Sequence, residues 1–504
     1  MIKTILTLLA MLATIATPVY AAPLRVQGGL INGAEKDGAR TWFGVPYAAP
    51  PVGKNRWRAP QAVVPWKGVK SATAFAPACR QTATWIPKPQ SEDCLYLNIW
   101  APKAMTGHKL PVMVWIHGGG YYGGTASQPL YDGARLSRRG VIVVTMNYRL
   151  GIFGFFSHPE LAAEGKVDGN QGLLDQLAAL KWVKANIAAF GGDPARVTIF
   201  GESAGGESVA VLTTSPLARG TFQRAIAESG NMAMPIDATE YHWFDRKAAD
   251  ADGVAAAKAL NAPHLSDLRT LDTETVVKQP WSPRPVVDGY LIPTDMKAAY
   301  ARGQGSHVPL LVGWNSDEGK DLAPELLGTD DFSLARYPGL VERLLGRKPT
   351  QAVFDAYPAK SDAEARAAIN RLTTDIWGWR MWQWARLHRM AKSGPAFVYE
   401  FVHVPAEPAT PCGYGCGAGH GAEIQYAFDQ LAQDPRQWTA EDRQMADRMA
   451  TYWTNFAKTG NPNGDGVPTW PAFDGTASII RLGSNAEVKA APPLPDYSLI
   501  GTKP

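Results

Sequence analysis

The apolar run Val197-Thr198-Ile199-Phe200 leads into Gly201-Glu202-Ser203-Ala204-Gly205, and small residues from Gly206 to Val211 follow. This pattern predicts a strand that turns abruptly into a helix, with a serine at the bend. Glycines on both sides leave space where a Cβ would not fit, and the turn pushes Ser203 Oγ clear of the sheet. Glycine-x-serine-x-glycine alone is common. Between a strand and a helix it marks a candidate nucleophile.

A serine hydroxyl is a weak nucleophile at neutral pH. It needs a neutral histidine to take its proton, a carboxylate to hold that histidine's tautomer, and N–H donors for the oxyanion. Each has a candidate. His117-Gly118-Gly119-Gly120 directly follows the apolar run Val112-Met113-Val114-Trp115-Ile116, and glycines there let backbone N–H groups approach a reacting carbonyl. The N–H of Ala204 stands at the helix start, where the dipole also favours negative charge. The carboxylate falls in Asn315-Ser316-Asp317-Glu318-Gly319, and chemistry alone leaves Asp317 and Glu318 both open. The histidine is His420, in the glycine-rich Gly417-Ala418-Gly419-His420-Gly421. The order serine, acid, histidine is that of an α/β-hydrolase sheet.

Organisation along the chain agrees. Val141-Ile142-Val143-Val144-Thr145-Met146 reads as a buried strand, and Leu173, Leu177, Leu180, Val183 and Ile187 mark one helix face. Gly191-Gly192 stops that helix and Asp193-Pro194 turns the chain. Further strands are expected near 225–227, 310–312 and 397–401. Uninterrupted apolar runs joined by helices imply an α/β fold: a mostly parallel central sheet with helices on both faces. Residues near 232–300 and 320–395 read as helical insertions capping the active site. No repeat or long linker divides residues 22–504, which are expected to form one domain. Trp377 and Trp384 share a helical face with Met381, and Trp379 and Trp382 form another pair. Core packing is the first expectation for them, lining of a substrate pocket the second.

Lys3, an apolar stretch from Ile5 to Ala16, and Val19-Tyr20-Ala21 read as a secretory signal over residues 1–21, cleaved after Ala21. Its apolar stretch is too short to span a bilayer, and no later run reaches the ~20 residues a span needs. The mature chain is expected to be exported, periplasmic or extracellular, without a stable membrane anchor. Net charge is +4 with no basic cluster, which argues against nucleic acid as a partner. Charged residues make up 19%, below the ~25% usual for globular chains. That balance suits an apolar interior and a pocket for small uncharged organic substrates. In an exported chain the four cysteines, Cys79, Cys94, Cys412 and Cys416, point to two disulfides with three connectivities. Nearest-neighbour pairing is the expectation, and Cys79–Cys94 would close a loop worth roughly 3 kcal/mol. A zinc reading of Cys412, Cys416 and His420 lacks a fourth ligand. No metal or organic cofactor is expected.

Further segments match a known family. Phe43-Gly44-Val45-Pro46-Tyr47-Ala48, Ser91-Glu92-Asp93-Cys94-Leu95-Tyr96-Leu97-Asn98, Asn147-Tyr148-Arg149-Leu150-Gly151, His420-Gly421-Ala422-Glu423-Ile424 and Asn455-Phe456-Ala457-Lys458-Thr459-Gly460-Asn461-Pro462 stand in the family's order. From about Arg40 to Phe473 the chain resembles the type-B carboxylesterases, the esterase–cholinesterase branch of the α/β-hydrolase fold. The resemblance implies hydrolysis of carboxylic esters through an acyl-enzyme. It implies a Ser203–Glu318–His420 triad, an oxyanion hole of Gly119, Gly120 and Ala204, and a Cys79–Cys94 disulfide. It also implies that Glu202 and Ser229 lie beside the triad. The chain departs from the family in having no cysteine between nucleophile and acid. A Cys412–Cys416 bridge would instead either stiffen the loop presenting His420 or serve only as a stabilising staple on a surface loop.

Overall fold

The computed structural model describes residues 22–86, 88–104, 107–165, 168–231, 245–408, 416–475, 479–483 and 499–500. The expected signal segment, Cys412 and the start of the first insertion at 232–244 lie outside them. Ten strands build one sheet: β1 (Ala34–Lys36), β2 (Ala39–Pro46), β3 (Tyr96–Pro102), β4 (Leu110–Ile116), β5 (Ile142–Met146), β6 (Gly192–Glu202), β7 (Arg224–Glu228), β8 (Leu310–Asn315), β9 (Ala396–Phe401) and β10 (Ile480–Leu482). Their spatial order is β10-β9-β8-β7-β6-β4-β5-β3-β2-β1. All pairs from β10 to β5 are parallel, and β5 to β1 are joined antiparallel.

The antiparallel edge has no counterpart in the sequence reading. Its strand β2 carries Trp42, Phe43 and Gly44 without a clean alternation, because the register slips between Trp42 and Val45. The expected strands 225–227, 310–312 and 397–401 are the centres of β7, β8 and β9.

Alternate residues of the central strands face different helix layers. Val112, Val114 and Ile116 pack with Leu173, Leu177 and Leu180 of α1 (Gln171–Asn186) and with Val209 and Leu212 of α2 (Ala204–Thr214). Met113 and Trp115 face the opposite way, with Phe200, Met449, Trp453 and Phe456. Burial on both faces is why these strands read as continuous apolar runs.

The second insertion is helical. It carries α3 (Glu318–Leu327) and α4 (Asp362–Met390). Between α4 and the C-terminal edge strand lies α5 (Ala440–Thr459), which opens with a Thr439–Asp442 capping box and closes on Gly460 at φ 81°. On α4, Trp377, Trp379, Met381 and Trp384 are buried, while half-buried Trp382 packs edge-on against Phe473. Trp384 Nε1 donates to Tyr300 Oη and Trp377 Nε1 to the Ser229 carbonyl. Core packing therefore describes the tryptophan stretch.

Parallel registry brings one set of strand ends together. Gly201 pairs with Ile116, Glu202 with Glu228, and Glu228 with Gly313. The carboxyl ends of β4, β6, β7 and β8 thus lie side by side, the position where open parallel sheets bind ligands.

Candidate active site

Ser203 connects β6 to α2 with φ 55° and ψ −125°, a strained conformation for a residue with a Cβ. Its neighbours show why the flanks are glycine. A Cβ on Gly205 would stand 2.0 Å from the Ile116 carbonyl oxygen, and one on Gly201 2.6 Å from the same atom. The elbow is pressed against the end of β4, so its backbone contacts leave no volume for side chains there. Ala204 opens α2, and the first N–H groups of a helix have no partner within it.

The glycine loop after β4 lies against this elbow. A Cβ on Gly118 would be 2.7 Å from the Glu202 carbonyl oxygen and 3.0 Å from Ser203 Cβ. Gly119 and Gly120 adopt φ values of 98° and 55°, which favour glycine. The Gly119 carbonyl accepts from Tyr122 N and Gly123 N, both at 3.0 Å, and this folds the loop back on itself.

His420 comes from the loop between β9 and α5, and its Nδ1 lies 2.6 Å from Glu318 Oε2. The other oxygen of Glu318 accepts from Asn315 N at 2.8 Å. Glu318 is fully buried at the start of α3. Asp317, the other acid of the pair, instead accepts from Ala418 N at 2.9 Å and pairs with Lys320. Asp321, one turn on, accepts from His420 N at 2.8 Å. The first turn of α3 thus grips the histidine loop at two backbone amides and its ring at one nitrogen. The sequence reading missed Asp321; its signal was the acid spacing 317, 318 and 321 at a helix start.

Three buried glutamates, Glu202, Glu318 and Glu423, act on the ring, and a fourth, Glu228, interacts with Glu202 and Glu423. Glu202 Oε1 is 3.2 Å from His420 Nε2, which makes no hydrogen bond among the described residues. Glu423 accepts from Asn315 Nδ2 and from Ser229 Oγ, the latter at 3.3 Å. Ser229 therefore reaches the triad candidates through Glu423 and Asn315 rather than by touching them. Glu228 accepts from Trp453 Nε1 at 2.9 Å. Burial, with the neighbouring carboxylates, holds the carboxyl pKa values of Glu202, Glu423 and Glu228 above the ordinary range. For His420 burial works downward, but Glu202, Glu318 and Glu423 outweigh it and raise the imidazole pKa. A cavity of about 800 Å³ opens beside His420 and is lined by Trp85, Gln128, Asp321, Gly421 and Gln425, among others.

The Cys79–Cys94 disulfide is formed. Cys416 is also disulfide-bonded, so it offers no thiolate to a metal; Cys412, its expected partner, lies outside the described residues. Among the described residues no helix is long and apolar enough to cross a membrane.

Comparison with known proteins agrees with this geometry. The family model described as the carboxylesterase family matches residues 20–498. A para-nitrobenzyl esterase of Bacillus subtilis is 37% identical over 92% of this chain and 96% of its own length. A fumonisin B1 esterase of Sphingopyxis macrogoltabida is 36% identical over 94% of this chain and 90% of the relative. A solved PNB esterase superposes with a TM-score of 0.81 at 34% identity, covering 95% of this chain and 99% of the other. With the match nearly end to end in both sequence and structure, the chain belongs to the carboxylesterase family and is a serine hydrolase of carboxylic esters.

Proposed function

We propose that Ser203 attacks the ester carbonyl while His420 Nε2 takes its proton. The observation that carries this reading is the 2.6 Å contact of His420 Nδ1 with buried Glu318, which commits Nδ1 to carry hydrogen and leaves Nε2 as the base. The N–H groups of Gly119, Gly120 and Ala204 stabilise the oxyanion. His420 then protonates the leaving alcohol, which departs on the side of the cavity that borders His420. Water, deprotonated by the same nitrogen, attacks the acyl-enzyme carbonyl and frees Ser203.

The substrates are small to medium uncharged esters. The charged groups lining that cavity support this, since Lys320 pairs with Asp317 and Arg436 with Asp434, while Asp321 is occupied by the His420 amide. The chain is exported after cleavage behind Ala21, a reading checked by N-terminal sequencing of the mature protein. For the catalytic reading the test is hydrolysis of p-nitrophenyl esters, acetate through palmitate, by wild type and Ser203→Ala. Turnover abolished in the variant with a short-chain optimum in wild type is expected. Retained turnover in Ser203→Ala would overturn the assignment of the nucleophile, and a long-chain optimum would overturn the substrate range.

A further inference from the structure

Among the side chains by which the loop closed by Cys79 and Cys94 meets the glycine loop is a buried carboxamide that the catalytic reading does not use. Gln81 is 4% exposed. Its Oε1 accepts from Gly124 N at 2.8 Å, and its Nε2 donates to the Gly124 carbonyl, also at 2.8 Å. A second Nε2 hydrogen reaches the Cys79 carbonyl at 2.8 Å. The carboxamide thus pairs with one peptide group as a neighbouring strand would, and ties it to the residue carrying the disulfide.

Gly124 stands on the return limb of the loop. Its φ is 128°, and a Cβ there would lie 2.3 Å from His117 Nδ1 and 2.9 Å from the Gly118 carbonyl oxygen. The return limb is therefore in backbone contact with the outgoing limb just before Gly119 and Gly120. On the outgoing limb Tyr148 Oη donates to the His117 carbonyl at 2.7 Å. Beyond Gly124, Asn147 Oδ1 accepts from Ala126 N at 2.8 Å. Between these anchors the turn has its own bonds to Gly119 and one from Gly151 N to the Tyr121 carbonyl at 2.8 Å, and glycines lose the most freedom when ordered. The base supporting Gln81 is rigid by contrast. Ala78–Cys79 pairs with Gln90–Ser91, and the disulfide closes the same point.

We propose that Gln81 is a positioning residue for the oxyanion hole: it transmits the fixed geometry of the disulfide-closed loop to Gly124 and so holds the N–H groups of Gly119 and Gly120 at the distance the oxyanion requires. The inference rests on the reading of those two glycines as donors. Preorganised donors act on the transition state more than on the bound substrate, so loosening them lowers kcat and leaves KM nearly unchanged.

The test replaces Gln81 with Met, which keeps the side chain's length and removes all three bonds. Turnover of p-nitrophenyl butyrate is normalised to active sites counted by the p-nitrophenol burst. Inhibition is measured with an aryl trifluoromethyl ketone. In that adduct the serine oxygen bonds to the ketone carbon, its proton passes to His420, and the carbonyl oxygen becomes an oxyanion. Expected for Gln81→Met are a kcat per site about 10- to 100-fold lower, below the 10²–10³ of losing a whole donor, a KM within twofold, and ketone affinity weakened by the same factor as kcat. Gln81→Asn, polar but one methylene short, gives the same pattern and serves should Gln81→Met not fold. A lower melting temperature or fewer titratable sites, with kcat per site and ketone affinity unchanged, would leave Gln81 a purely structural residue and overturn the proposal. If Ser203→Ala retains turnover, the catalytic reading falls first and this inference falls with it.

Discussion

Replacing Glu318 by Gln isolates what the buried acid does. Each carboxylate oxygen accepts one N–H: Oε1 from Asn315 N at 2.8 Å and Oε2 from His420 Nδ1 at 2.6 Å. A glutamine amide has one oxygen and one NH₂, so only one of those N–H groups can keep an acceptor. Turning the NH₂ toward Asn315 would set two donors face to face at a fixed backbone amide, an unmet buried group costing about 1–3 kcal/mol. Turning it toward His420 costs less, because the imidazole can move its hydrogen to Nε2 and accept at Nδ1. The second arrangement wins, and it places the proton on the nitrogen that must act as base. A misplaced tautomer of this kind lowers kcat about 10⁴-fold, about 5.5 kcal/mol of barrier. KM should stay within a few-fold, since Glu318 is sealed from the substrate, and the fold should persist because both amide ends remain bonded. Steady-state kinetics on p-nitrophenyl acetate, with thermal unfolding alongside, decide it. A Glu318→Gln enzyme within tenfold of wild-type kcat would refute the tautomer argument.

The other predictions test neighbouring groups. Glu202→Gln removes a negative charge 3.2 Å from His420 Nε2. The imidazole pKa should fall and the acidic limb of kcat/KM should move to lower pH, whereas an unchanged or higher limb would contradict the assigned field. Gly205→Ala should lower the denaturation midpoint. Helix propensity favours alanine by about 1 kcal/mol, but a Cβ 2.0 Å from the Ile116 carbonyl overpacks backbone that cannot move aside, at a cost of about 1–3 kcal/mol or more. A more stable variant would show that β4 yields after all. Asp442 accepts from Thr439 N, Thr439 Oγ1, His403 Nε2 and Tyr426 Oη; burial pushes its carboxyl up, but these bonds outweigh it and hold the pKa at about 2. Its contribution, about 2 kcal/mol, is present above the unfolded value near 3.9 and is lost as pH falls toward 2. Asp442→Asn should flatten that acid limb of stability without changing kcat per active site, and a limb equally steep in the variant would assign it to other groups.

The local parts of the site were legible in the sequence because local rules impose them. A serine at a strand-to-helix bend needs glycine at 201 and 205, where the β4 backbone comes within van der Waals range. Buried parallel strands need continuous apolar residues, so β4, β5, β6, β7, β8 and β9 could be read directly, and α1 showed its face by helical period. Residue chemistry also offered His420 and left the acid between Asp317 and Glu318.

The family resemblance pointed to Glu318 over Asp317, but the physical reason for that choice lies only in the tertiary structure. Both acids sit at the start of α3, and only the approach of the 417–421 loop gives Glu318 the ring and Asp317 the backbone amide of Ala418. Glu202, Glu228 and Glu423 lie far apart in the chain. They form one buried cluster because the registry of β6 with β7 stacks their strand ends and the histidine loop closes over them. Gln81 meets Gly124 across 43 positions, and no period or spacing encodes that contact. Sequence determines what each segment must be to turn, pair or bury itself. Which charged and amide groups finally face one another depends on packing among segments distant in the chain, and that distance is what removes it from any local pattern.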